Sequence, residues 1–138
     1  MAIRKIKSQK DLEIIFPIIQ ELRPHLNFSD FTSLVFEAVK RDQYEIVAAY
    51  DGNQCIGVIG FRILFDLVHG KHLYVDDLVI TKSFRSKGIG SKLLQYAEQM
   101  AKEQNCKGLR LCTGINNDDA KGFYEREGWK IKSIVYKK

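Results

Sequence analysis

The sequence has few of the residues that build disulfide frameworks or metal clusters. Only three of its 138 residues are cysteines, an odd number without a Cys-x-x-Cys spacing: Cys55, Cys106 and Cys112. This pattern argues against a disulfide framework and against a zinc knuckle, so we expect reduced thiols in a reducing compartment. The histidines His25, His69 and His72 have no metal-ligand spacing. We therefore expect no metal site and place two of these histidines at the surface.

Long hydrophobic runs are also missing. Charged residues interrupt every apolar run well before the roughly 18 residues that a membrane span requires, and the first five residues, Met-Ala-Ile-Arg-Lys, do not resemble a secretory signal. We expect a soluble, cytoplasmic protein without a membrane partner. No repeat or linker divides residues 1–138, and their 45% hydrophobic content supports one domain with a real core.

The net charge is +5, but no basic stripe with interleaved aromatic residues accompanies it. The lysines and arginines are spread along the chain, which argues against nucleic-acid binding. A polyanionic small molecule suits this charge better.

The segment Arg85-Ser86-Lys87-Gly88-Ile89-Gly90 carries the strongest functional signal. It lies between an apolar run that predicts a strand and a periodic run that predicts a helix, and the N–H groups of a first helical turn have no intrahelical acceptor. Glycine lacks the Cβ that would keep an anion away from them. The segment predicts either a phosphate-binding turn or only a tight turn. It is neither a dinucleotide fingerprint, because position 93 is Leu, nor a P-loop, because Ser91 precedes Lys92.

This segment resembles the Arg/Gln-x-x-Gly-x-Gly/Ala motif of the GNAT superfamily of N-acetyltransferases. A second segment, residues 117–129, resembles the Asn-x-x-Ala-x-x-Phe-Tyr-x-x-x-Gly-aromatic motif of the same superfamily. The two motifs stand in the family's order and are separated, as in the family, by one helix and one strand. The resemblance extends over nearly the whole chain.

Hydrophobic periodicity predicts an α/β (α+β) fold in the order β-α-α-β-β-β-α-β-α-β. The predicted strands are 2–6, 44–50, 54–64, a strand ending at Ile80, 108–113 and 129–136. The predicted first helix begins after Ser8 and is bent or split at Pro17; the second is capped by Ser29 or Asp30. The resemblance implies a mixed, mostly antiparallel sheet with a splayed central cleft and helices on both faces. The predicted order has one strand fewer than the family usually has.

The resemblance implies acetyl-CoA as cofactor. Its pyrophosphate would bind at Arg85, Ser86, Lys87, Gly88, Ile89, Gly90 and Ser91, and its pantetheine arm would lie along Leu78, Val79 and Ile80. The Ile80 N–H would polarise the thioester carbonyl. Further contacts are implied at Asn117, Ala120, Phe123 and Tyr124. Asn117 is equally well placed to cap the following helix.

Two residues are predicted to handle protons, because an amine attacks a thioester only as the free base. Asp76 stands four residues before Ile80, where relatives carry an acidic base, and its short side chain favours a relay through water. The alternative is a solvated carboxylate. In a regular strand Asp77 would face the opposite side. Tyr124 is the implied general acid, since its hydroxyl is protonated near neutral pH; the alternative is a core tyrosine.

We therefore expect an acyltransferase that moves an acetyl group from acetyl-CoA to a primary amine by direct attack in a ternary complex. The alternative is a non-catalytic acyl-CoA-binding or sensor domain on the same fold. The acceptor is a small amine or a peptide or protein amine, with Arg23, His25, Arg62 and Tyr74 as candidate contacts. Two arginines favour an acceptor with a carboxylate over a polycation. Both a monomer and a homodimer fit the sequence.

Overall fold

A computed structural model describes residues 1–138, which form five strands and four helices around one sheet. In chain order the elements are β1 (Ala2–Lys5), α1 (Gln9–Leu22), α2 (Phe28–Asp42), β2 (Glu45–Asp51), β3 (Gln54–Asp66), β4 (Gly70–Ile80), α3 (Ile89–Glu103), β5 (Leu109–Leu111) and α4 (Asp118–Arg126). A single turn of 3-10 helix, Lys82–Phe84, joins β4 to the glycine segment. None of the helices is both long and apolar enough to cross a membrane.

The first two helices begin at side-chain caps. Ser8 and Asp11 form a reciprocal capping box at the start of α1, and the helix continues through Pro17 without a break. Pro17 removes one backbone donor, but Ile15 and Ile19 on either side of it are buried, and their packing holds the helix together. The predicted cap of α2 was wrong by two or three residues, because the Asn27 side chain accepts from the Asp30 N–H at 2.8 Å.

The sheet has the order β1-β2-β3-β4-β5, antiparallel except for the β4–β5 pair. Its two faces carry separate cores, as the alternation of side chains along β2 demonstrates. Val47 and Ala49 pack against the apolar stripe of α3. Ile46 and Ala48 pack on the other face, against α1 and α2. The predicted mixed sheet with helices on both faces is therefore confirmed.

An irregularity interrupts the pairing of β3 with β4 at Asp76. Gly60 pairs with Asp77 and Phe61 pairs with Val75, so that Asp76 is an extra residue without a partner. This is a β-bulge, which bends a strand and redirects its side chains. Asp76 and Asp77 consequently both line the same cavity. The expectation that only one of them faces the cleft was wrong, because it assumed a regular strand.

β4 and β5 pair over only three residues, from Leu73 with Leu109 to Val75 with Leu111. Beyond Val75 the strands separate, and residues 76–80 have no neighbour on that side. The predicted splayed cleft is therefore present, and it opens at the bulge.

The predicted last strand, residues 129–136, is not formed. Residues 129–138 carry neither helix nor strand, and most of their apolar side chains lie exposed, Tyr136 at 89%. β-propensity mainly reflects the fit of a side chain to a half-buried sheet surface, and a strand exists only beside a hydrogen-bonded neighbour. Only Trp129 packs against the core, and its N–H donates to the Tyr124 carbonyl at 2.9 Å.

Candidate active site

The turn between β4 and α3 forms a row of free backbone donors. The N–H groups of residues 86–91 make no hydrogen bond within the chain, and the first bond of α3 runs from Lys92 N–H to Gly88 O at 3.2 Å. Ser86 and Gly88 adopt positive φ values of 62° and 80°, which turns successive N–H groups toward one side. No side chain caps α3. The turn that was predicted to bind an anion therefore presents a row of unpaired backbone donors.

Gly88 and Gly90 lack a side chain for different structural reasons. Gly88 stands at a left-handed φ with open space around it, which leaves its N–H accessible. At Gly90 an added Cβ would lie 3.0 Å from Cζ of Phe123, so the absence of a side chain lets α4 pack against the start of α3. The Arg85 side chain is held against the end of β4, because its Nε donates a hydrogen bond to the Ile80 carbonyl oxygen at 3.0 Å.

The open edge of β4 directs main-chain groups into the cleft. Thr81 N–H donates to Ile56 O at 2.9 Å, which makes Thr81 a hydrogen-bonded position of the ladder. Hydrogen-bonded and non-bonded positions alternate along an antiparallel pair, so the N–H and C=O groups of Leu78 and Ile80 point away from β3. These are the two residues for which main-chain contacts were predicted. Val79 between them is buried in the α1 and α2 core.

A cavity of about 490 Å³ lies at the point where β4 and β5 separate. Its walls come from the end of α1, the bulge of β4, the segment after β5, and α4. The lining residues that were predicted as site residues are Arg23, Tyr74, Asp76, Leu78, Asn117, Ala120 and Tyr124. The cavity therefore brings the bulge of β4 together with the motif at residues 117–129.

Tyr124 is half-buried in this cavity between two aromatic rings, those of Phe123 and Trp129 at centroid distances of 5.2 and 6.1 Å. Burial raises the pKa of its hydroxyl above the ordinary value. The hydroxyl is therefore protonated near neutral pH and available as a donor.

The Asp76 carboxylate is held by Arg62 through two hydrogen bonds of 2.9 Å each. Desolvation raises the pKa of Asp76, and the Arg62 guanidinium opposes this rise. Arg62 reaches Asp76 from β3 and does not line the cavity. Asp76 is thus an oriented carboxylate whose proton affinity is increased by burial.

Asp77 was not predicted as a site residue, and it forms the second carboxylate of the cavity. Arg23 donates to its Oδ1 from Nε at 3.2 Å and from a terminal nitrogen at 3.0 Å, while the Tyr44 hydroxyl donates to its Oδ2 at 2.5 Å. Burial, followed by the charge of Asp77, raises the pKa of Tyr44 well above the ordinary tyrosine value. The signal in the sequence was Gly60, because a glycine inside a strand indicates a bulge or a close approach. A Cβ at Gly60 would overlap the Tyr44 hydroxyl.

The remaining predicted residues occupy different places. Asn117 caps α4, with its side chain accepting from the Ala120 N–H at 3.1 Å. Burial and then a hydrogen bond with Cys112 raise the pKa of Tyr74 to about 12. His25 is exposed on the α1–α2 connection and does not line the cavity. All three cysteines are free.

Comparison with known proteins identifies the family and agrees with the fold. The model of the acetyltransferase (GNAT) family matches residues 12–129. The chain is 29% identical to the uncharacterized N-acetyltransferase YhdJ of Bacillus subtilis (strain 168), over 98% of this chain and 96% of YhdJ. It is 28% identical to the aminoalkylphosphonate N-acetyltransferase of Salmonella typhimurium, over 95% and 86%. The aminoglycoside N-acetyltransferase AAC(6')-Iy in complex with CoA superposes with a TM-score of 0.86 at 19% identity, over 99% and 93% of the chains.

The chain belongs to the GNAT acetyltransferase family. It is an acyltransferase, and its cofactor is acetyl-CoA. The residues present fit this cofactor, since the free N–H groups of residues 86–91 suit a pyrophosphate and the unpaired edge of β4 suits an extended amide-containing arm.

Proposed function

We propose that the protein acetylates a primary amine by direct attack within a ternary complex. Acetyl-CoA supplies the thioester carbonyl that is attacked and the thiolate that leaves. The observation that carries the proposal is the meeting of the half-buried Asp76 carboxylate, the Tyr124 hydroxyl and the outward main chain of Leu78 at one cavity of about 490 Å³.

Asp76 is the proposed proton acceptor. An ammonium group must lose a proton before its nitrogen can form the new C–N bond. The bidentate contact with Arg62 fixes the orientation of the carboxylate, and desolvation raises its pKa toward that of a useful base. The carboxylate takes the proton through one water molecule, since the aspartate side chain is short.

Tyr124 is the proposed proton donor. When the C–S bond breaks, the sulfur requires a proton, and the Tyr124 hydroxyl carries one near neutral pH. The Ile80 N–H stabilises the negative charge that develops on the carbonyl oxygen, because it points away from β3 into the cleft. Residues 86–91 hold the phosphates.

Arg23 favours an acceptor that carries an acidic group. Its side chain lines the cavity and is 41% exposed, and one terminal nitrogen of the guanidinium makes no hydrogen bond within the chain. The two aspartates of the cavity are each paired with an arginine, and this leaves no net acidic field to attract a polyamine. The name of the Salmonella relative also describes an amine with an acidic group.

A free-CoA release assay tests the proposal with acetyl-CoA and a panel of amines. The panel contains aminoalkylphosphonates, amino acids, lysine analogues, spermidine, an aminoglycoside and peptides. We expect turnover with a primary amine and higher kcat/KM for monoamines with an acidic group than for spermidine. Binding of acetyl-CoA without release above the hydrolysis background for every amine would contradict the proposed reaction.

A further inference from the structure

The turn between β3 and β4 assembles three side chains that the catalytic cleft does not use. Asp66, His69 and His72 each offer one metal-ligating atom, and these atoms all lie within 4.8 Å of one another. Oδ1 of Asp66 is 3.1 Å from Nδ1 of His69, and Oδ2 is 3.8 Å from Nε2 of His72. Tetrahedral zinc with ligand distances of about 2.0–2.1 Å requires ligand atoms roughly 3.3 Å apart. Small side-chain adjustments therefore reach the required geometry.

His72 is already oriented as a metal ligand. It is buried, and its Nδ1 lies 3.0 Å from the carbonyl oxygen of Gly70, to which only an N–H can donate. The lone pair consequently resides on Nε2, which faces Asp66. A ring N–H bound to a backbone carbonyl is the usual outer-shell support of a histidine that binds metal through its other nitrogen. The hydrogen bond from His69 N–H to Asp66 Oδ1 at 2.6 Å fixes the carboxylate in a similar way.

The guanidinium of Arg110, on β5, lies beside the cluster and contacts two of its three side chains. Its Nε donates to His72 Nε2 at 3.0 Å, and a terminal nitrogen lies 3.9 Å from Asp66 Oδ2. One guanidinium thus approaches both a histidine lone pair and a carboxylate, the groups that a divalent cation would bind. Arg110 is only partly buried and also lies over the ring of Tyr74 at 4.9 Å, so that stacking gives it an alternative position.

We propose that Asp66, His69 and His72 bind a divalent transition-metal ion such as Zn²⁺, with Arg110 as the built-in competitor for the same position. Two imidazole nitrogens and one carboxylate form a donor set that suits zinc, and a water molecule completes the coordination. Spacing alone did not indicate this cluster, because the turn at residues 67–69 brings Asp66 back beside β4.

Isothermal titration of the full chain with Zn²⁺ tests the site. We expect one bound ion per chain. His69→Gln and Asp66→Asn should each weaken binding at least about tenfold, the loss that even an outer-shell partner produces. The amide introduced by Asp66→Asn would retain an oxygen that accepts from His69 N–H, and His69 is exposed, so both variants should fold. Arg110→Met should tighten binding because it removes the competing cation.

His25→Gln is the matched control, since His25 is an exposed histidine outside the cluster. It should bind Zn²⁺ as the wild type does. Co²⁺ gives a second readout, with visible bands and no thiolate charge-transfer band. No Zn²⁺ binding by the wild type, unchanged affinity in His69→Gln, or a cobalt–thiolate band would overturn the proposal, the last by placing the metal on a cysteine such as the exposed Cys112.

Discussion

At the scale of single residues, the two groups that we propose to transfer protons have different environments in the cavity. Asp76 is a carboxylate oriented by Arg62, whereas Tyr124 is a hydroxyl enclosed by aromatic rings. Burial raises the pKa of both groups, which makes the carboxylate a better acceptor and keeps the phenol protonated. Each of them therefore gives a distinct test of the proposed chemistry.

Tyr124→Phe retains the ring and removes the hydroxyl. We expect kcat to fall by roughly 10²-fold or more if the hydroxyl is the general acid, with little change in acetyl-CoA affinity. Steady-state kinetics and calorimetric binding measure the two effects. Tyr136→Phe is the control, because Tyr136 is 89% exposed and lies outside the cavity. Full activity of Tyr124→Phe would assign Tyr124 a packing role only.

Asp76→Asn removes the proposed base while preserving the shape of the side chain. We expect kcat/KM to fall, and the loss to shrink as pH rises, because more of the amine is then already deprotonated. In the wild type, activity should fall as pH drops through the raised pKa of Asp76, since the protonated carboxyl accepts no proton. The measurement is a pH profile of kcat/KM for both proteins.

Arg62→Gln is the matched control for this variant. It breaks the same ion pair but keeps the carboxylate. A pH-dependent loss in Asp76→Asn that Arg62→Gln reproduces in full would indicate that the ion pair, and not the base, is responsible.

At the scale of elements, the bulge of β4 shapes the part of the cleft that we propose to bind the acceptor. The bulge directs both Asp76 and Asp77 toward the same cavity. Gly60 on the neighbouring strand leaves space for Tyr44 to reach Asp77. Arg23, the residue after α1, completes the contact, so that side chains from two distant segments of the chain hold one carboxylate.

Gly60→Ala should disturb this convergence. The new methyl group would displace the Tyr44 hydroxyl from Asp77, and we expect a loss of about 1–3 kcal/mol in the free energy of unfolding, as is typical of overpacking. Urea denaturation measures it. Gly108→Ala is the control, because an added Cβ there meets nothing within 4 Å; its effect should stay within about 0.5 kcal/mol. Equal stability of the two variants would contradict the packing argument.

At the scale of the whole molecule, the proposed cofactor site draws on elements from both cores of the fold. α3 follows the turn that we propose to bind the phosphates and packs on one face of the sheet, whereas Val79, from the open segment of β4, packs on the other. A ligand that binds only this folded arrangement stabilises it by mass action, by about 2.7 kcal/mol at one hundred times Kd.

Acetyl-CoA should therefore raise the melting temperature, and Gly90→Glu should abolish the shift, because its carboxylate would fill and repel the phosphate site. Since a side chain at Gly90 also meets Phe123, Lys87→Glu provides a second test on an exposed residue and should reduce the shift. Lys102→Glu makes the same charge change at the other end of α3 and should leave the shift intact. Thermal melts with and without acetyl-CoA measure the shift in melting temperature. An undiminished shift in both Gly90→Glu and Lys87→Glu would contradict the proposal that this turn binds the phosphates.

Local patterns in the sequence were sufficient for the glycine turn before α3, the buried stripe of α3 and the order of elements up to α4. Each depends on residues within a few positions of one another, through helical periodicity, strand alternation or the conformational freedom of glycine.

Only the tertiary structure decided the surroundings of Asp76 and Asp77 and the conformation of the last segment. The partners of the two carboxylates are distant in sequence, with Arg23 and Asp77 separated by 54 residues and Tyr44 and Asp77 by 33. The bulge that brings Asp76 and Asp77 together depends on the pairing of β3 with β4. Residues 129–136 have strand-like composition but no hydrogen-bonded neighbour. Pairing and long-range contact arise from the assembled sheet, and local sequence does not encode them.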